Sequence, residues 1–141
     1  MRRLYLLSLV FLFFACSDSN PQQEPFASML KNCDQVNIVF YNSSDSLTYH
    51  TTDTTGVKIL TRMVTGKKET TSDTCQPVGR LSYLSKGQPI YDAQFALDTT
   101  PEKRGCNYIT YVFKQDTYRH KLTDRAANIL RQVNTVNSNT K

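Results

Sequence analysis

The stretch "GRLSYLSKGQPIYDAQFAL", residues 79–97, decides the fold. Two runs rich in aromatic and aliphatic residues, Gly79–Leu84 and Pro89–Leu97, flank Ser85-Lys86-Gly87-Gln88. A short Gly-containing turn between two such runs is the signature of a β-hairpin. Side chains alternate across a strand. Tyr91, Ala93, Phe95 and Leu97 therefore share one face, opposite Asp92 and Gln94. One apolar face and one polar face describe an antiparallel strand with a core on one side.

The same pattern recurs on either side. Downstream, Asn107–Phe113 and Thr117–Leu122 flank Lys114-Gln115-Asp116 as a second hairpin. Upstream, Val36–Tyr41 and Leu47–Thr51 flank Asn42-Ser43-Ser44-Asp45, a run dense in turn formers. Between them, Asp53 is placed to cap a helix. Val57, Leu60 and Val64, with Ile59 and Met63, recur at helical spacing, and Gly66 is placed to end it. Lys67–Cys75 then reads as a loop. Pro25–Asn32 predicts a short first helix. Thr123 or Asp124 caps a last helix with Ala126, Ala127, Leu130 and Val133 inward, and the tail from Asn137 reads as frayed. These elements predict one α+β domain over residues 25–141, an antiparallel sheet of about six strands (three hairpins) with helices packed on one face. The element order resembles the small periplasmic sheet-plus-helix folds of the β-lactamase-inhibitor-like group.

Ahead of the domain stands a different kind of segment. Met1-Arg2-Arg3 is basic, and Leu4–Phe14 is an apolar run of eleven residues. A membrane-spanning helix needs about 20 apolar residues, so the run is too short to span. Its length and charge suit an export signal. It closes on Phe13-Phe14-Ala15-Cys16. That ending resembles the lipobox of bacterial lipoproteins: an apolar residue three before the Cys, a small residue just before it, and the Cys. Phe13 stands where the family usually has Leu, and bulky Phe14 where it has a small residue.

The resemblance implies cleavage after Ala15 (residues 1–15 as signal peptide), lipidation of Cys16, and an anchor in the bacterial envelope. Ser17 after the Cys implies transfer to an outer membrane. Residues 16–24, with the polar SDSNPQQE, then form a tether. An ordinary signal peptide or a retained anchor helix are the alternatives.

Cleavage changes two counts. Without Arg2 and Arg3, the 17 basic residues become 15 against 12 acids, so net charge falls from +5 to about +3. The remaining cations are scattered, which argues against a nucleic-acid partner. Without Cys16, three cysteines remain in an oxidising compartment. In an up-down meander Cys75 and Cys106 precede strands that start at the same end of the sheet, so Cys75–Cys106 is the expected disulfide. Cys33 is left free or competes with either.

No chemical motif stands out. There is no G-x-S-x-G, phosphate-binding Gly loop, C-x-x-C or H-E-x-x-H. His50 is expected to point outward and His120 toward the core, so the two histidines do not converge. No catalytic residue, metal set or cofactor is therefore assigned. The polar sheet face is the candidate site, with Tyr41, His50, Tyr108, Arg119 and Lys121 foremost, alongside Asn37, Thr48, Gln94 and Thr110.

The expected function is a non-enzymatic binding or accessory module, anchored by its lipid and engaging another envelope protein or a small ligand. An inhibitor or immunity-type protein acting on a hydrolase or toxin, and a small envelope hydrolase, are the alternatives.

Overall fold

The computed structural model describes residues 24–41, 47–68, 75–98 and 105–138. The leader, Cys16 and the tether up to residue 23 lie outside them. In chain order the elements are α1 (Glu24–Met29), β1 (Gln35–Phe40), β2 (Leu47–Thr51), α2 (Thr54–Thr61) and β3 (Val64–Lys68). Then follow β4 (Gly79–Ser85), β5 (Gln88–Ala96), β6 (Tyr108–Phe113), β7 (Asp116–Leu122) and α3 (Asp124–Ser138). The seven strands form one sheet in the order β2-β1-β4-β5-β6-β7-β3, antiparallel at every pairing.

The strand pairs of the three expected hairpins are present, β1 with β2, β4 with β5 and β6 with β7; the expected turn at Asn42-Ser43-Ser44-Asp45 lies outside the described residues. The β4–β5 turn places Lys86 and Gly87 at φ 52° and 76°, the left-handed pair that a two-residue hairpin turn needs. The β6–β7 turn does the same with Lys114 and Gln115, at 49° and 74°, without a glycine.

The strand count corrects the expected six. The helix begun by Asp53 ends at Thr61 instead of running through Val64 to Gly66. Arg62 closes it, its N–H reaching the Ile59 carbonyl. Val64–Lys68, part of it expected as loop, is the seventh strand, and pairs with β7 through Val64↔Leu122. Met63 and Val64 are buried in either reading; what differs is a backbone partner 58 residues away in sequence. α2 thereby carries the chain from one edge of the sheet to the other. At the C-terminus, α3 runs on to Ser138, past the expected fraying point. Its cap is Thr123, whose hydroxyl accepts from the Ala126 N–H.

The core lies between the helices and one face of the sheet. Val36, Ile38 and Phe40 of β1, Leu81 and Tyr83 of β4, and Ala93 and Phe95 of β5 point into it, with Ile109 and Tyr111 of β6 and Leu122 of β7. Phe26 and Leu30 meet them from the α1 side, Val57 and Leu60 from α2, and Ala126, Ala127 and Leu130 from α3. Fully burying a large apolar side chain contributes about 1.5–3 kcal/mol, so this layer dominates the stability.

Aromatic rings organise the layer. Phe26 packs on Tyr83 and Tyr111, with centroids at 5.9 and 4.8 Å. Tyr118 and His120 stack on Tyr111 at 5.4 and 5.8 Å. His120 is fully buried, on the core side as its alternation predicts. Phe40 meets Phe95 edge to face at 5.3 Å. Gly79 makes room for that pair, since a Cβ there would lie 2.4 Å from both the Phe95 ring and the Val39 carbonyl oxygen.

Cys75 and Cys106 form the expected disulfide, with Cα atoms 5.6 Å apart. Closing a loop of this length contributes about 3–4 kcal/mol. Cys33 is free and half-buried.

Candidate functional site

Register places the outer-face side chains in rows across the strands. One row runs His50, Asn37, Ser82, Asp92 over β2, β1, β4 and β5. A second runs Thr48, Val39, Arg80, Gln94, Thr110, Arg119 over β2, β1, β4, β5, β6 and β7. A third comprises Ala96, Tyr108 and Lys121.

The first row is hydrogen-bonded within itself. His50 Nδ1 lies 2.7 Å from Asn37 Oδ1, and the Ser82 hydroxyl donates to Asp92. The second row carries two cations, Arg80 and Arg119, separated by Gln94 and Thr110, with Val39 and Thr48 toward the β2 edge. Its members are exposed or half-buried, Thr48, Arg80 and Gln94 the most open, while the Thr110 hydroxyl is itself buried.

The five foremost candidates separate on this face. His50 is exposed near the β2 edge. Arg119, Tyr108 and Lys121 come together at the far end. Tyr41 stands one residue past the end of β1, 47% exposed, its N–H bonded to the Val78 carbonyl.

Tyr108 departs from expectation. It is on the outer side by register yet only 2% exposed. The Arg119 guanidinium lies over its ring at 4.3 Å, and its hydroxyl donates to the Cys75 carbonyl. Burial raises its pKa, and the neighbouring Arg119 opposes that rise. The disulfide segment thus covers this corner, and Tyr108 packs there instead of offering a free contact. Alternation could not reveal the cover, which comes from a residue 33 positions away.

The helical side has a feature that the sequence reading missed. Thr54, Lys58 and Arg62 follow one another at intervals of four along α2 and its C-cap and form a ridge between two grooves of about 550 and 560 Å³. Leu30, Lys31, Cys33 and Asp34 face the ridge from the α1 side, and Thr123 and Arg125 from the α3 side. Asp53 starts the ridge as N-cap, accepting from the Gly56 N–H at 2.7 Å.

Asp34 is the one acid among the described residues of these grooves, and both its oxygens accept from the Lys86 N–H, at 3.1 and 3.0 Å. Among the described residues, no ion pair engages Lys31, Lys58, Arg62 or Arg125. The grooves are therefore basic and rich in threonine hydroxyls. The i, i+4 spacing of Thr54, Lys58 and Arg62 was the available signal. The partners Lys31 and Arg125 come from distant sequence.

Cys33 opens toward the first groove, with its thiol donating to the Gln35 carbonyl at 3.3 Å. Burial is the main cause of a raised thiol pKa, which keeps it a poor nucleophile at neutral pH. Among the described residues, no three His, Cys, Asp or Glu side chains converge as a metal set, and no helix is long and apolar enough to cross a membrane.

No family model, curated protein or solved structure matches this chain significantly. The likeness of element order to the β-lactamase-inhibitor-like group accordingly carries no further argument.

Proposed function

We propose that the chain is a lipid-anchored protein of the bacterial envelope, held through Cys16, and that its domain is a non-enzymatic binding module. The leader supports the anchoring, by its basic start, its short apolar run and its Ala15-Cys16 junction. One structural observation carries the binding role. The sheet is packed by helices on one face, while the other presents exposed polar side chains in register, His50, Arg80, Asp92 and Gln94 among them. Arginine and hydrogen-bonding groups in rigid register suit recognition of a protein surface or a polar ligand. An inhibitor-type reading would place its contacts in connections such as 42–46, 69–74 and 99–104, which lie outside the described residues.

Affinity purification of the tagged chain from its own envelope after crosslinking tests the module. The reading expects a partner that is retained by the wild type and lost on Arg80→Glu together with Gln94→Lys, two exposed changes that leave the core intact. A partner captured equally by the variant would show that the sheet face is not the contact.

A further inference from the structure

We infer that the basic grooves on either side of α2 dock against anionic phospholipid headgroups, so that the anchored domain lies with its helical side toward the membrane. The inference rests on the lipid-anchor reading and adds an orientation to it.

Three observations carry it. The first is charge: Lys58 and Arg62 stand on the ridge shared by the two grooves, Lys31 lines the first and Arg125 the second, against the one acid Asp34, and no ion pair among the described residues neutralises them. The second is chemistry. Thr54, Thr55 and Thr123 supply hydroxyl donors beside those cations, which together suit phosphate oxygens. The third is place. The described chain begins at α1, whose Ala27 lines the first groove, with Leu30 and Lys31 just beyond it. Cys16 lies eight residues before Glu24, a reach of at most about 28 Å for an extended chain. An anchor so close keeps the grooves within reach of the headgroups. The outer rows, on the opposite side of the sheet, are then left free for a partner.

The test uses the mature lipidated full chain reconstituted into two kinds of vesicle. One is phosphatidylcholine alone; the other carries about one-quarter phosphatidylglycerol, enough to set up a negative surface potential. An amine-reactive reagent modifies lysines, and mass spectrometry reads each site. Lys121, on the outer face, is the internal reference. Docking predicts that Lys31 and Lys58 react about fivefold more slowly in the anionic vesicles. The protection should vanish at about 1 M salt, where charges are screened within about 3 Å. It should also vanish in Arg62→Glu/Arg125→Glu.

Equal reactivity in both vesicles, with the chain still floating with them, overturns the docking and leaves the anchor standing. A chain that fails to float with either vesicle overturns the anchor reading. Protection produced by inorganic phosphate alone on phosphatidylcholine vesicles assigns the grooves to a soluble anion and overturns the membrane as occupant.

Discussion

The hydroxyl of Tyr83, at the centre of the sheet, donates to the carbonyl of Leu60 in the last turn of α2, 3.1 Å away. Both residues are buried. Carbonyls in a helix's last turn have no partner within the helix, so a core tyrosine satisfies one of them and fixes the end of α2 over the sheet. The same oxygen lies 3.3 Å from the Met63 sulfur, where the chain turns into β3. Tyr83→Phe keeps the ring and removes the bond. It should lower stability by about 1–2 kcal/mol, since the Leu60 carbonyl is left buried without its partner. Urea unfolding of wild type and variant measures this directly.

Gly79 tests packing. Any Cβ there would meet the Phe95 ring and the Val39 backbone at 2.4 Å, and backbone cannot move aside cheaply. Gly79→Ala should cost about 3 kcal/mol through overpacking. The neighbouring change Arg80→Ala, on the exposed face, should stay within about 0.5 kcal/mol. Thermal melts of the two variants side by side give the comparison.

The disulfide gives a third expectation. Cys75→Ser and Cys106→Ser should each lower the unfolding free energy by about 3–4 kcal/mol. Reductant should do the same to the wild type and nothing further to either variant. Cys33→Ser should leave the bridge intact, which non-reducing peptide mapping reads.

How far these features were legible in the sequence depends on how local their causes are. The β4–β5 and β6–β7 turns, the Asp53 cap and the inward side of His120 follow from a few adjacent residues, and the structure has them. The Cys75–Cys106 bridge was legible because a meander fixes which strand starts share an end. β3 was not. Val57, Leu60 and Val64 fit one helical stripe, and nothing in Val64–Lys68 announces a pairing with Leu122. The burial of Tyr108 was hidden for the same reason, because its cover comes from Cys75; the ridge on α2 is local, but the Lys31 and Arg125 that complete its grooves come from segments far apart in sequence.

Alkaline pH probes the aromatic layer. Burial raises the Tyr83 pKa well above its ordinary value of 10 and pushes Tyr111 up to about 12. The folded state therefore keeps these phenolic protons after the unfolded chain has lost them. Stability is fully present below pH 10 and should fall as pH rises from about 10 toward 12. Among the described residues the Tyr111 hydroxyl has no hydrogen-bond partner. Tyr111→Phe should thus cost little at neutral pH and make the alkaline decline shallower. Unfolding free energies taken across that pH range show both effects.

The account's central claim is one of place, and it turns on a single atom, the sulfur of Cys16. Metabolic labelling with a fatty acid, followed by recovery of the chain, measures it most directly. The account predicts label on the wild-type chain, released with the N-terminal peptide that begins at Cys16, and none on Cys16→Ala. Equal incorporation by the variant, or no incorporation by the wild type in its own envelope, would contradict it.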